Sequence, residues 1–503
     1  MMGHWIIAPV VLPAIMGAAI TLLMRNDLLL QRVFSLGATL LLGAIAAALL
    51  WSASTSAPEI YLLGNWPAPF GIVLMLDRLS ALMVMLTALL ALAVQLYAIG
   101  SDWDARGGHF HALFQFQLMG ICGAFLTGDA FNLFVFFEVL LIASYGLMIH
   151  GGGKDRLRAG VQYVAFNLVG SSLFLFALAT IYSVTGTLNI ADLAVKVQML
   201  PEGDVALFRV AAVMLMLVFA VKGALGPLQF WLLATYANAP GPVAALFAVM
   251  TKIGAYAAIR FGVMVIPPTT PATGTLIADL MMPAAIATLI IGAIGVLGAA
   301  TLGRLAAFAA IAPMGTAFIA ISAFTPAATA AALYYMVHST LAGAALFLIV
   351  DLVTQRRAHD RLTEALPPIH RAGVIAGLFM VSAIATAGMP PLSGFVGKLL
   401  VMQALRDQAP LIWSVILISS LVIILGFARA GSTVFWKAHA AAPAEAPEHA
   451  PQGLAFTAAF GLIAALAALT LFSGPVLTWM EATAAALHDP SAYIAANQLP
   501  EVK

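Results

Sequence analysis

The chain has 503 residues, of which 63% are hydrophobic and only 9% charged, and its mean hydropathy is +1.03. So much apolar surface cannot be hidden in one soluble core, which excludes a water-soluble domain and makes the chain a polytopic membrane protein. A net charge of +1 leaves no basic face for nucleic acid, and a single cysteine, Cys122, excludes an internal disulfide or a cysteine metal cluster.

The N-terminal run through Met24 lacks the basic flank of a cleaved signal and is expected as a retained first helix. Apolar runs long enough to cross ~30 Å of hydrocarbon at 1.5 Å per residue number about fourteen. They fall near 4–24, 30–51, 72–99, 109–127, 129–149, 158–184, 205–224, 242–265, 276–299, 303–323, 328–352, 372–405, 409–435 and 452–479. Residues 189–199 are expected as a short interfacial helix, 438–450 as a flexible Ala/Pro loop, and no segment reads as a strand. The expected fold class is thus an all-α polytopic membrane protein of about fourteen helices. An even number of spans puts both termini on one side. Of the 22 Lys and Arg residues, thirteen sort to one side, six to the other and three lie inside spans. The positive-inside rule makes the thirteen-cation side cytoplasmic and turns both termini outward.

Those three are Lys222, Lys252 and Lys398, and Glu138 lies in the middle of a fourth span. A charge near the bilayer centre costs at least ~2.5–3.5 kcal/mol, so such groups point to function and to partners or water. Among ten histidines only His338 lies deep inside a span. Two spans are interrupted: GALGPLQFWLLATYANAPGP follows Lys222, and ATAGMPPLSGFVG precedes Lys398. Proline removes a backbone donor and clashes with the preceding turn, so the helices are expected to break at Pro227 and at Pro390–Pro391. These prolines recur 164 residues apart, about five spans, and an odd number of crossings inverts the second copy. The expected organisation is a three-helix segment 1–108, two inverted five-helix repeats at 109–265 and 276–435 that each carry a broken helix, and a remainder 436–503 with the last span.

The run TGDAFNLFVFFEVLLIASYGL from Thr127, the KGALGP…FWL…ANAPGPVAALFAVMTKIGAY stretch and the GMPPLSGFVGK break resemble the antiporter-like subunits shared by Mrp-type Na⁺/H⁺ antiporters and respiratory complex I. Within that group the chain looks most like the D-type member of the Mrp complex. The resemblance covers nearly the whole sequence. It implies a proton-translocating subunit of a multisubunit Na⁺/H⁺ antiporter in a bacterial inner membrane, with other subunits as partners, protons and Na⁺ as transported ions, and no cofactor or metal. It also implies a proton relay at matching positions: Glu138 on the fifth span, Lys222 on the seventh, Lys252 on the eighth, His338 on the eleventh and Lys398 on the twelfth.

Those residue types suit the task. Burial disfavours a charged lysine and a neighbouring carboxylate favours it, so a carboxylate that approaches and leaves turns a lysine into a switch. Histidine has an unperturbed pKa near neutrality. Plainer readings stand beside these: lysines near span ends can snorkel to the interface, and His338 among Tyr334, Tyr335, Ser339 and Thr340 can be an interhelical hydrogen-bonding group. Asp77, Asp129 and Asp351 sit at span ends as anchors or caps. Alternatives for the whole chain are a proton-pumping subunit of complex I or a membrane-bound hydrogenase, and a scaffold that transports nothing. Gly397–Lys398 lacks the rest of a phosphate-binding loop, and no His/Cys/Glu spacing suggests a metal.

Overall fold

A computed structural model describes residues 2–357, 359–440 and 452–499. In hydrocarbon every backbone N–H and C=O must be satisfied within its own segment, and the apolar runs fold as helices accordingly. The first two, α1 (Ala8–Leu23) and α2 (Leu28–Thr55), are followed by a hairpin of β1 (Glu59–Leu62) and β2 (Val73–Leu76). Next come α3 (Arg78–Gly100), α4 (Phe110–Leu126), α5 (Ala130–Met148), α6 (Lys154–Thr185) and the short α7 (Ile190–Lys196). The middle of the chain supplies α8 (Glu202–Lys222), α9 (Phe230–Asn238), α10 (Gly241–Phe247), α11 (Met250–Met264), α12 (Leu276–Gly298), α13 (Leu302–Ile321) and α14 (Pro326–Thr354). The rest forms α15 (Ala372–Ala387), α16 (Ser393–Ala404), α17 (Ala409–Gly431), α18 (Gly453–Leu471), α19 (Ser473–His488) and α20 (Ser491–Ala496). Among the described residues eleven helical segments are long and apolar enough to cross a membrane, and α1, α4 and α15 are shorter apolar helices.

Contacts between loops define two faces. On the first, Arg32 pairs with Asp102 and Asp104 at 3.1 and 2.7 Å, Arg156 donates to the Asn238 carbonyl at 2.9 Å, and Arg356 reaches Gln452 at 2.7 Å. Burial pushes the Asp104 carboxyl up, but hydrogen bonds from His111 and Arg32 and the charges behind them prevail and hold it below its ordinary value. On the second face Arg209 donates to the Ala272 carbonyl at 2.8 Å and Asn189 to Asn497 at 3.3 Å. His4 stacks edge-on against Tyr61 at 5.6 Å, and Asn497 reaches Met75 at 3.4 Å, so the described ends of the chain share the second face.

The structure departs from the sequence reading in three places. The span expected at 72–99 begins as a strand: β2 pairs antiparallel with β1, Glu59 opposite Leu76, and the helix starts only where Asp77 and Ser80 form a capping box. A four-residue apolar run carries too little periodicity to tell strand from helix. The span expected at 452–479 ends at Leu471, and the chain turns into α19, which packs against α14 and α11. Gly474 and Pro475 follow that turn, and Pro suits the start of the new helix because its missing N–H costs nothing in the first turn. The expected helix at 242–265 is split at Ala248–Val249 into α10 and α11. The Ala/Pro loop lies largely in 441–451, outside the described residues, whereas the short helix of 189–199 forms as α7 and the turn after it.

At the centre α14 is packed by α10, α13, α15, α16, α18 and α19. Every residue of α11 is buried, and Cys122 is a fully buried packing residue of α4.

Candidate proton-relay site

The first cluster forms where α5, α6 and α8 meet. Glu138 is half-buried in the middle of α5, and one of its carboxylate oxygens accepts from the Ser171 hydroxyl of α6. Lys222, the last residue of α8, is 5% exposed. Its ammonium donates to Asn167 Oδ1 at 2.9 Å and lies 5.6 Å above the Phe137 ring. Asn167 and Ser171 are one helical turn apart on α6. The carboxylate and the ammonium therefore do not touch: neighbouring positions of one helix face hold each in place. Tyr163, a turn earlier, continues that stripe toward the first face and hydrogen-bonds Ser144 at 2.9 Å.

The break after Lys222 follows from its residues. Ala224 takes a positive φ of 56°, Pro227 lacks an N–H, and the Gly226 N–H is satisfied by Thr288 Oγ1 at 2.7 Å. Beyond it α9 runs on to Asn238 at the first face, and Trp231 Nε1 donates at 2.9 Å to the Val221 carbonyl, which also accepts the Ala224 N–H.

Lys252 sits in the first turn of α11, 2% exposed, and among the described residues nothing hydrogen-bonds its ammonium. Gly254 brings this helix onto the end of α8. A Cβ there would lie 2.5 Å from the Gly223 nitrogen and 2.9 Å from the Lys222 carbonyl carbon, so only glycine permits the approach.

His338 on α14 is 1% exposed; its Nδ1 is 2.9 Å from the hydroxyl of Ser393, the first residue of α16 beyond the second break. Lys398, one and a half turns further along α16, is 4% exposed and donates to the Ala387 carbonyl and to Ser420 Oγ, both at 2.8 Å. Ala387 ends α15, and its carbonyl is free because Pro390 and Pro391 stop that helix. Gly388 closes the turn with a φ of 77°, and a Cβ there would lie 2.6 Å from Lys398 Cδ.

Lys222, Lys252, His338 and Lys398 thus lie buried on α8, α11, α14 and α16 and Glu138 half-buried on α5, and among the described residues no hydrogen bond or ion pair joins any two of the five. The groups that hold them, Ser171, Asn167, Ser393, Ala387 and Ser420, escaped the sequence reading. The four-residue spacing of Tyr163, Asn167 and Ser171 within one apolar span was the available signal for two of them. The aspartates act as expected of caps and anchors. Asp77 and Asp129 accept from Ser80 and Asn132 backbone N–H groups at 2.9 and 2.8 Å, and Asp351 accepts from Tyr97 and Trp103 at 2.8 Å.

A mostly helical membrane bundle with isolated cations beside broken helices defines a class of ion-translocating membrane subunits. The sequence model of the NADH:quinone oxidoreductase/Mrp antiporter transmembrane family matches residues 127–425, and the chain belongs to that family. It is 36% identical to the D subunit of a probable K(+)/H(+) antiporter of Rhizobium meliloti, covering 96% of this chain and 95% of that one. It is also 36% identical to the D subunit of the Na(+)/H(+) antiporter of Bacillus subtilis, covering 98% and 99%. A chain in the structure of the Mrp complex from Dietzia sp. superposes with a TM-score of 0.87 at 27% identity, covering 99% of this chain and all of that one. A chain of Thermus thermophilus respiratory complex I shares the fold, with a TM-score of 0.81 at 24% identity over 96% of this chain and 99% of that one.

Proposed function

We propose that this chain is the proton-carrying subunit of a multisubunit monovalent-cation/proton antiporter, a secondary transporter rather than an enzyme. The observation that carries the reading is the row of five ionisable groups on α5, α8, α11, α14 and α16, four of them buried, four held by polar groups and none neutralised by another. Protons move along Glu138, Lys222, Lys252, His338 and Lys398, with water or hydroxyl groups between them. Glu138 and Lys222 form the switch: while Asn167 and Ser171 hold them apart, the lysine lacks a direct countercharge and its proton can pass on. The two breaks belong to inverted repeats at 109–265 and 276–435, between the segment 1–108 and the remainder 436–503.

Partner subunits are supported by the surface around the carboxylate. Phe131, Val135 and Ile142 of α5, on the Glu138 side of the helix, are 44, 38 and 66% exposed, so Glu138 looks out through an apolar face at mid-membrane. A carboxylate facing bare lipid there is costly, and a neighbouring subunit would cover it. The relatives named for K⁺ and for Na⁺ are equally similar to this chain, so we assign the cation class and take Na⁺ as the first ion to test. The setting is a bacterial inner membrane, with the thirteen-cation first face cytoplasmic and the ends of the chain outside.

The test is cation-driven dissipation of ΔpH in everted vesicles that contain the whole complex. Glu138→Gln and Lys222→Ala are each expected to abolish it while the complex still assembles, as checked by co-purification. Near-normal antiport in either would sink the relay.

A further inference from the structure

One buried cation has no part in the relay, yet it shares a helix with Lys252. Arg260 lies two turns beyond that lysine on α11 and is 1% exposed, and Tyr256 occupies the turn between. Four-residue spacing puts the three on one side of the helix, with about 12 Å of helix rise from the first to the last. The guanidinium forks onto Asp77, Nη2 lying 2.8 Å from Oδ1 while Nη1 holds Oδ2. Nη2 also donates to the Tyr256 hydroxyl at 3.2 Å, and the Tyr493 ring of α20 lies 5.1 Å from the guanidinium carbon. Tyr256 in turn donates its hydroxyl proton to the Phe125 carbonyl at 2.7 Å. Past this pair a cavity of about 130 Å³ reaches Asp77 at the second face, with Met264, Thr483 and Tyr493 in its wall.

A polar column therefore runs from that cavity through Asp77, Arg260 and Tyr256 toward Lys252. We propose that Arg260 is an electrostatic barrier that closes Lys252 off from the second face, so that protons on the relay continue toward His338 and Lys398 instead of escaping; this rests on the relay reading above. A guanidinium does not give up its proton at any accessible pH, so it cannot serve as a stepping stone. Its positive charge faces the relay and the balancing carboxylate faces the cavity, an order that repels a proton leaving Lys252 in this direction. A fixed arginine excludes protons from a pore in the same way. The hydroxyl between the two is no bypass, because its proton is committed to Phe125.

The measurement is passive decay of an imposed ΔpH, without cation, in vesicles that hold the whole complex. Arg260→Gln combined with Asp77→Asn removes both charges and strands neither; it is expected to let ΔpH decay several-fold faster. Adding Lys252→Leu is expected to restore wild-type tightness, since the leak passes through the lysine. Asp77→Asn alone keeps the positive charge and is expected to stay tight, which provides a reading should the double variant fail to assemble. A double variant as tight as wild type, a leak that survives Lys252→Leu, or a leaky Asp77→Asn would each overturn the barrier. Failure of the relay itself shows elsewhere, as normal antiport in Glu138→Gln or Lys222→Ala.

Discussion

At the first break Lys222 is the last residue of α8, and its ammonium leaves its own helix for the Asn167 side chain at 2.9 Å. At the second, Lys398 stands beyond the break on α16 and reaches back to the carbonyl that ends α15, at 2.8 Å. The C-terminal end of a helix carries about half a negative charge, so the second ammonium rests on a backbone dipole that cannot rotate away. The first rests on an amide, with a carboxylate one helical turn along at Ser171. One cradle can be rearranged by side chains alone and the other is built into the backbone, which suits the first to switching and the second to receiving.

The sharpest way to break this contrast is to push on the fixed cradle. Gly388→Ala places a Cβ 2.6 Å from Lys398 Cδ, at a φ of 77° that alanine tolerates poorly. The lysine must shift by about an ångström, and displacements of that size cost on the order of a hundredfold in rate. Initial rates of cation-dependent ΔpH dissipation should fall to that extent, close to the level of Lys398→Ala; a rate within a factor of about three of wild type would show that the cradle gives way.

Substitution at Asn167 tests the movable side. Asn167→Leu removes the only hydrogen-bond acceptor of the Lys222 ammonium among the described residues, a charged hydrogen bond worth about 1.5–3 kcal/mol, and about a tenfold loss of antiport is expected. Asn167→Asp offers a permanent countercharge in its place and should fail at least as badly, because a lysine pinned by a fixed carboxylate no longer responds to Glu138. An active Asp variant would remove Asn167 and Glu138 from the switch.

How far the sequence foretells these cradles depends on how local their causes are. Lys222, Lys252 and Lys398 stand out because a charge within twenty apolar residues is conspicuous by itself, and Pro227 and Pro390–Pro391 break helices by their own covalent structure. Ser171 and Asn167 lie 33 and 55 residues from the groups they hold, and nothing near either marks it as a partner. The Ala387 carbonyl has no sequence signature at all, since every residue has one. Arg260 reads from sequence as a span-end cation; only the pairing with Asp77, 183 residues away, places it inside. The hairpin 59–76 and the turn at Phe472 were missed because short apolar runs fit strand, helix and bend alike.

Ser420→Ala sharpens the comparison with a smaller effect. Lys398 loses a hydroxyl at 2.8 Å but keeps the backbone carbonyl at the same distance, so antiport should fall only about threefold. A loss as deep as that of Lys398→Ala would mean that the hydroxyl, not the helix end, holds the ammonium.

The smallest effect is expected at Ala224, the residue of the first break that occupies the place in its turn that Gly388 has in the second. Both take a positive φ, 56° and 77°. Ala224 is fully buried, so its methyl group has been accommodated, whereas a methyl group at 388 would strike Lys398. Left-handed backbone costs an alanine about 1–2 kcal/mol, and a glycine there gives back about 0.5–1 kcal/mol through its more disordered unfolded chain. Losing the buried methyl group costs about 0.8 kcal/mol more, so Ala224→Gly should leave the thermal midpoint of the purified complex nearly unchanged, with antiport unchanged as well. If antiport fell instead, the methyl group at 224 would be holding the first break in shape, and the movable cradle would prove as dependent on a rigid turn as the fixed one.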